Sequence, residues 1–276
     1  MNIKEIIAKM GFGEQAEVTV FKHEEDDSDY AVWKIEEGGV TRVLKKTSRQ
    51  EPDVYDAFLA SAECGAPRFY ESIEYDGELF FLMEYIKGNN LQKCDRESLT
   101  AALDALIYLQ NMYWEKRELQ GIGHGFEASL PGRQKRGKYL NDAELEQAYE
   151  QYLRIYSDIP RTLCHDDLLP FNVLCADKRA VIIDWEYAGI LPYPTSLARL
   201  IAHCEEDESA FFYMTQADIE RNGDTAFGGD KSVCFHFWIP SFCIFNSGYI
   251  VRPRPWLGKS PPIKAARVRV SPIKFG

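Results

Sequence analysis

Hydrophobic and polar residues alternate along much of the first 86 positions, as they do in half-buried β-strands. A short apolar helix is predicted over residues 3–10, ahead of these strands. A second helix is predicted to begin near Glu51, because Val54 and Phe58 recur at helical spacing. Five runs rich in β-branched and aromatic residues are the predicted strands: 16–22, 30–35, 41–45, 69–73 and 79–83. The pattern predicts an antiparallel five-stranded sheet with one inserted helix.

From Leu91 onward the apolar positions take a helical period instead. One stripe of apolar side chains predicts the first long helix: Leu99, Leu103, Leu106, Leu109 and Met112. Another helix is predicted over residues 142–156, where Asn141 and Glu144 fit the spacing of a capping box.

Shorter elements complete the second half of the chain. A basic, glycine-containing loop is predicted over residues 132–138, and two strand-like runs, 173–175 and 181–183, predict a small hairpin. The fold class is therefore α+β with two lobes. The strand-rich lobe is assigned to residues 1–86, and the mainly helical lobe to residues 87–230.

The composition is that of an ordinary globular protein, since 45% of the 276 residues are hydrophobic and 27% are charged. It excludes collagen-like, disordered and disulfide-scaffold proteins. The formal net charge of −11 argues against a general nucleic-acid binder, which needs a basic surface. Seven cysteines, an odd number with no C-x-x-C pair, indicate reduced thiols and predict a cytoplasmic protein.

No segment is predicted to span a membrane, and no membrane partner is expected. A spanning helix needs about 20 apolar residues. The longest apolar run, 233–245, is shorter and contains His236 and Pro240. Charged residues among the first ten positions do not fit a signal peptide.

The densest group of polar residues with catalytic potential lies between residues 165 and 186. Asp167 and Asn172 share one loop that ends in a strand, and the next strand ends at Asp184. Two carboxylates and an amide oxygen are thus expected at one end of a small hairpin. Such hard oxygen ligands suit Mg²⁺, which keeps waters and substrate phosphates in its other positions. One carboxylate remains to accept a hydroxyl proton.

The pattern H-x-D-x-x-x-x-N over 165–172, followed by I-D-W-E over 183–186, resembles the aminoglycoside phosphotransferase and choline kinase superfamily. These small-molecule kinases have a protein-kinase-like fold. The resemblance implies ATP and Mg²⁺, with Asp167 as the catalytic base and Asn172 and Asp184 as metal ligands. His165 joins the catalytic set by this resemblance as the residue that braces the loop. Its alternative is a purely structural role.

The roles of two other residues in this segment have alternatives. Glu186 either orients the metal loop or faces solvent. Asp166 stands where relatives more often have glycine or asparagine, and an extra carboxylate there would raise the pKa of the base or add a metal contact.

The third predicted strand carries a match to the kinase lysine that contacts nucleotide phosphates. In the string V-L-K, Lys45 follows two hydrophobic residues and is expected to face a cleft. Alternation places Lys46 on the opposite face. The expected partner of Lys45 is a helix glutamate, for which Glu51 is the first candidate and Asp53 the second.

The fifth predicted strand ends in a segment that resembles the kinase hinge, F-F-L-M-E-Y-I-x-G. A hinge binds adenine through backbone C=O and N–H groups, with apolar side chains against the faces of the purine. The resemblance assigns those backbone groups to Glu84 and Ile86.

The turn between the first two strands departs from the kinase pattern. Kinases cover the phosphates there with a glycine-rich turn, because backbone N–H groups bind anions. Residues 23–29 contain five acids and no glycine. Ser28 is the candidate phosphate ligand, with its hydroxyl and its N–H. The acids would repel a triphosphate unless they face away.

The sequence says less about the site that would bind the phosphoryl acceptor. Residues 187–189, Y-A-G, look more like choline- and thiamine-type kinases than like aminoglycoside enzymes. Ser196 stands where relatives often have aspartate, and it is expected to cap the following helix. The acids at 205–208 are either a recognition surface for a cationic hydroxyl compound or a solvated helix end.

The last segment has a different composition from the rest. Residues 231–276 hold eight basic residues, no acidic residue and six of the thirteen prolines, which leaves −19 for residues 1–230. Three interpretations stay open: a nucleic-acid or membrane arm, a packed irregular terminus, or a stretch that is not the family's usual C-terminus.

Together these features predict an ATP-dependent kinase that phosphorylates a hydroxyl of a small, cationic molecule such as an aminoglycoside, choline or a similar amino-alcohol. The alternative is a non-catalytic nucleotide-binding or scaffold protein that keeps the fold. A protein-directed kinase is third, since the chain has no D-F-G or A-P-E string.

Overall fold

The computed structural model describes residues 2–22, 27–48, 50–140, 142–202 and 204–219. The basic tail over 231–276, with its three interpretations, lies outside the described residues. Among the helices that are described, none is long and apolar enough to cross a bilayer.

The N-terminal half forms the predicted five-stranded antiparallel sheet. Its strands follow the order β1-β2-β3-β5-β4, and every neighbouring pair is antiparallel. The strands are β1 (Glu17–Lys22), β2 (Asp29–Glu37), β3 (Val40–Thr47), β4 (Phe69–Tyr75) and β5 (Glu78–Glu84).

Both faces of this sheet are covered, because successive side chains of a strand point to opposite faces. On one face, α1 (Ile3–Lys9) packs into a core that contains Ile6, Ile7, Trp33, Ile35, Leu44, Phe80 and Leu82. On the other face, Val43, Phe81 and Met83 belong to the large core of the helical half. The sheet is thereby fixed directly against the second lobe.

The inserted helix is present, and it changes its hydrogen bonding part of the way along. α2 (Gln50–Val54) runs into a π-helical turn over Tyr55–Leu59. There the N–H of Ala60 donates to the carbonyl of Tyr55 at 2.8 Å, five residues back. A π-turn accommodates one more residue than an α-turn does.

The second half is mainly helical and carries two small strand groups, in which β7 pairs with β10 and β8 lies between β6 and β9. The helices are α3 (Arg96–Met112), α4 (Phe126–Arg136), α5 (Ala143–Asp158) and α6 (Thr195–Ile201). The strands are β6 (Asn89–Asn90), β7 (Arg161–His165), β8 (Val173–Ala176), β9 (Arg179–Ile182) and β10 (Ala188–Pro192).

The prediction of a basic loop over 132–138 is wrong. Residues up to Arg136 belong to α4, and a 3₁₀ turn over Gly137–Tyr139 follows. Phe126, Ser129 and Arg133 are buried along one face of this helix at spacings of three and four. One of the face-forming residues is an arginine, which an apolar pattern cannot reveal.

The start of α5 also differs from the prediction. The N-cap is Asp142, whose carboxylate accepts from the backbone N–H groups of Glu144 and Leu145, both at 3.1 Å. Asn141, the expected cap, lies outside the described residues. Asparagine and aspartate are both good caps, so the sequence leaves the choice between neighbours open.

Residues 85–88 link the sheet to the second lobe, and Gly88 makes the closest approach. A Cβ atom at this position would lie 2.6 Å from the carbonyl oxygen of Cys175 in β8. Only glycine lets the linker backbone pass so near β8.

We expect Gly88→Ala to destabilise the protein by about 1–3 kcal/mol, because the methyl group overlaps backbone atoms that cannot rotate away. Urea unfolding at an unchanged m-value measures the effect. Gly132→Ala is the control, since apart from its chain neighbours and the backbone of α4 no atom lies within 4 Å of its Cβ position. Replacing that helical glycine is expected to stabilise by about 0.5–1 kcal/mol. Equal stabilities of the two variants would contradict the close approach.

Candidate active site

Two antiparallel strand pairs bring the predicted loop residues to one place. β7 ends at His165, and β8 begins directly after Asn172, while the loop after β9 carries Asp184. The N–H of Ile183 donates to the carbonyl of Asn172, and the amide Nδ2 of Asn172 donates to the carbonyl of Asp167, both at 2.9 Å. The loop over 166–172 and the loop over 183–187 are thus tied to each other through Asn172. We refer to them as the catalytic loop and the metal loop, after the roles that the sequence predicts for Asp167 and Asp184.

His165 lies in the interior between these loops, with no exposed surface. Its Nε2 lies 2.9 Å from the carbonyl oxygen of Ile183, and its ring packs edge-on against Trp185. Burial lowers the pKa of His165, although the Ile183 carbonyl opposes this shift. The ring is therefore neutral at pH 7, donates Nε2–H to Ile183, and braces the loops without reaching the surface.

The Asp167 carboxylate is one-third exposed and pairs with Arg199 of α6. The Nε and Nη2 atoms of Arg199 donate to Oδ1 of Asp167 at 3.0 and 2.6 Å. Sequence reasoning did not find this arginine. A single arginine in a short helix carries no local signal, and only the tertiary fold brings it to Asp167.

Asp166 makes an ion pair that the sequence did not predict. Its carboxylate pairs with Arg133 of α4, whose side chain is almost fully buried. Burial opposes the charged form of Arg133, but the carboxylate of Asp166 raises the pKa of this guanidinium. Asp166 thus connects the catalytic loop to α4. The sequence did not predict this contact, because it predicted a loop where Arg133 lies in a helix.

Ser196 also contacts the catalytic loop, where a helix cap was expected. It lies inside α6, and its Oγ accepts a hydrogen bond from the backbone N–H of His165 at 2.8 Å. The loop, instead of the helix terminus, uses this hydroxyl.

Lys45 of β3 lies between two carboxylates. Its Nζ is 2.8 Å from Oε2 of Glu51 in α2, and it also contacts Oδ1 of Asp184. Burial opposes the charged form of Lys45, but Glu51 and Asp184 raise its pKa above the ordinary value. The contact of Lys45 with Glu51 is the one that the sequence favoured over Asp53. Lys46 faces the other way and pairs with Glu78 at 2.8 Å.

Glu51 is fully buried, and its carboxylate accepts hydrogen bonds from both lobes. Thr47 Oγ1 donates to its Oε2 at 2.7 Å, alongside Lys45. The backbone N–H of Trp185, in the loop after β9, donates to its Oε1 at 3.2 Å. Because Trp185 follows Asp184 directly, Glu51 couples the sheet to the metal loop.

The oxygen atoms around Asp184 fit a hard divalent cation. Asp184 has a left-handed backbone (φ 67°), and oxygens of Glu51, Asp184 and Glu186 lie within 4.8 Å of one another. Glu51 is already committed to three donors. Burial raises the pKa of Glu186, and the nearby Asp184 carboxylate raises it further. A bound cation would relieve this crowding of negative charge. Asn172 offers its Oδ1, since its Nδ2 is bonded to Asp167.

The structure also describes the remaining predicted nucleotide residues, Glu84, Ile86 and Ser28. Glu84 is the last residue of β5, and its N–H donates to the carbonyl of Arg68 at 2.8 Å. Ile86 is half-buried in the linker. Ser28 is exposed directly before β2, while residues 23–26 of the acidic turn lie outside the described ranges.

We expect Glu51→Gln to destabilise the protein by about 3–5 kcal/mol, because it leaves the buried ammonium of Lys45 short of a counter-charge. Glu78→Gln is the matched control, because Glu78 of β5 pairs with Lys46, the neighbour of Lys45 on β3. Its pair with Lys46 is exposed, so the loss is expected to stay below about 1 kcal/mol. Chemical denaturation of both variants measures the difference. A loss from Glu51→Gln as small as that of the control would contradict the coupling.

Acid is expected to destabilise the protein through His165. The pKa of His165 is lowered on folding, so its contribution is complete above the unfolded value of about 6.5 and is lost as pH falls towards the folded value. The slope is at most about 1.4 kcal/mol per pH unit. His165→Gln is expected to remove this part of the slope between pH 7 and 5, and His124→Gln to keep it. Unfolding curves across this range provide the measurement. Identical slopes in all three proteins would contradict a buried neutral His165.

Solved structures with the same architecture are aminoglycoside and antibiotic kinases. Aminoglycoside-3'-phosphotransferase of type VIII has a TM-score of 0.61 at 17% identity, over 89% of this chain and 98% of that chain. The aminoglycoside phosphotransferase APH(4)-Ia, in a ternary complex with ADP and hygromycin B, has a TM-score of 0.59 at 18% identity, over 89% and 88%. Amicoumacin kinase hAmiN has a TM-score of 0.59 at 14% identity, over 89% and 83%. These likenesses establish the protein-kinase-like fold.

Sequence comparison gives the family. Protein LicA of Haemophilus influenzae is 26% identical over 144 residues, and its counterpart from strain Rd is 24% identical over the same length. The matched stretch is 49% of this chain and only 42% and 54% of those two proteins. Residues 11–227 match the phosphotransferase enzyme family as a whole. With this match over most of its length, the chain belongs to the phosphotransferase enzyme family.

Proposed function

We propose that the protein transfers the γ-phosphoryl group of ATP to a hydroxyl of a small molecule, with Mg²⁺ as the metal ion. The observation that carries the proposal is the convergence of Asp167, Asn172 and Asp184 at one end of the β7–β10 and β8–β9 pairs, with Lys45 held against Asp184. Family membership supports the reaction class.

Each residue has a distinct role in the proposal. Asp167 accepts the proton of the acceptor hydroxyl as its oxygen attacks the γ-phosphorus. Asn172 and Asp184 hold the metal ion, which supplies positive charge to the phosphate oxygens. Lys45, positioned by Glu51, contacts the phosphates.

The other assigned residues hold the nucleotide and the loops in place. Backbone groups of Glu84 and Ile86 contact adenine, and Ser28 contacts phosphate. His165 braces the loop. Glu186 lies beside Asp184 and supports the metal site.

The proposed acceptor is a cationic amino-alcohol. Tyr187 is half-exposed at the end of the metal loop, and an exposed aromatic face attracts ammonium groups. The carboxylate of Glu186 is the main cause that raises the pKa of the Tyr187 hydroxyl, and Asp167 and Asp184 contribute to the same shift. An aromatic ring and several carboxylates therefore lie near the proposed base, which suits a positively charged substrate.

The second candidate is a nucleotide-binding protein without phosphotransferase activity. It is favoured by the acidic turn over 23–29, which replaces the usual glycine-rich cover of the phosphates. The two candidates differ in whether any acceptor causes the release of ADP from ATP.

The test is a screen for acceptor-dependent ADP release with Mg²⁺-ATP, using amino-alcohols, aminoglycosides and neutral sugars. We expect turnover with a cationic amino-alcohol, and a loss of about 10²–10⁴-fold in Asp167→Asn, because the proton acceptor is removed. Calorimetry is expected to show unchanged Mg²⁺-ATP affinity in that variant.

Asp184→Asn is the control for the metal role. It is expected to weaken Mg²⁺-dependent nucleotide binding, since a neutral amide replaces an anionic ligand. Tight nucleotide binding with no ADP release above background in any arm of the screen would favour the second candidate. Full turnover by Asp167→Asn would remove Asp167 from the mechanism.

A further inference from the structure

α6 holds the catalytic loop at two points. Ser196 accepts a hydrogen bond from the N–H of His165, at the beginning of the loop. Arg199, three residues further along the helix, donates to the carboxylate of Asp167. Residues three apart lie on the same face of a helix. One face of α6 therefore fixes both the backbone and the key side chain of the loop.

The contact of Arg199 with Asp167 distinguishes the two carboxylate oxygens. Both donors, Nε and Nη2, reach the same atom, Oδ1, at 3.0 and 2.6 Å. Within the described part of the chain, no group donates to Oδ2. The side chains of Asp167 and Arg199 are 33% and 16% exposed, so solvent screens this pair only in part.

We propose that Arg199 is a positioning residue that commits Oδ1 of Asp167 and presents Oδ2 to the acceptor hydroxyl; this rests on the proposed phosphoryl transfer. A partly exposed aspartate without such a partner samples several rotamers. The guanidinium selects one, and it keeps its own proton throughout, because an arginine does not deprotonate in proteins.

Arg199 takes no part in the bond changes or in the proton transfer of the reaction. The acceptor oxygen forms a bond to the γ-phosphorus, the bond to the β–γ bridging oxygen breaks, and ADP leaves. The hydroxyl proton passes to Oδ2 of Asp167, which later releases it to water. Misplacing a reacting group by about 1 Å costs roughly 10²-fold in rate.

The kinetic test compares Arg199→Gln, Arg199→Lys and the control Arg154→Gln. Arg154 lies on α5 with 81% of its side chain exposed, so the control removes the same charge from the surface. We expect Arg199→Gln to lower kcat by about 10²-fold, with less than a twofold change in the acceptor KM and in the nucleotide Kd. Arg199→Lys is expected to recover at least tenfold of that loss, because it restores one charged donor. Arg154→Gln is expected to match the wild-type protein.

A loss of kcat that Arg199→Lys does not relieve at all, or a change confined to KM or to the melting temperature, would overturn the positioning role. Wild-type turnover that Asp167→Asn abolishes tests the proposed function separately from Arg199.

Crystal structures of the wild-type protein and of a soluble Arg199 variant provide a readout that needs no acceptor. A rotated or split Asp167 carboxylate in the variant supports the proposal, even if no acceptor is turned over and the proposed function fails. An Asp167 side chain in the wild-type rotamer in the variant overturns the proposal.

Discussion

The geometry of the site depends on the hydrogen bonds that the buried carboxylate of Glu51 accepts from both lobes. Lys45 and Thr47 donate to it from β3, and the backbone of Trp185 donates from the metal loop. A buried carboxylate that loses its donors is strongly destabilising. The lysine of one lobe and the aspartate of the other consequently keep a fixed relation, because both are set by the same side chain.

The catalytic loop is held in place by contacts from α4 and α6 as well as by its own hydrogen bonds. Arg133 of α4 holds Asp166, and α6 holds His165 and Asp167 through Ser196 and Arg199. The ion pairs of Arg133 with Asp166 and of Arg199 with Asp167 are shielded from much of the solvent. Hydrogen bonds between charged groups are strong there. The loop is thus held by residues that lie far from it in the sequence.

Sequence predicted those parts of the fold and of the candidate site that local patterns encode. Alternation gave the five strands, and the spacing around Asp167 and Asn172 placed the loop residues together. Arg133 and Arg199 were missed because each becomes significant only through a partner across the fold. The predicted loop over 132–138 failed for a related reason, since a buried arginine in a helix face looks polar in sequence.

The π-helical turn over Tyr55–Leu59 has a consequence for how the protein tolerates length changes. The turn begins four residues after Glu51, whose carboxylate contacts Lys45 and Trp185, and it contains Phe58, which packs against Tyr113. Because a π-turn holds about one more residue than an α-turn, deleting one residue there would leave a regular helix whose two ends keep nearly their present orientation. A one-residue deletion inside a regular helix such as α3 instead rotates one end by about 100° relative to the other. The π-turn therefore makes this short helix more tolerant of a single deletion than the regular helices of the second lobe.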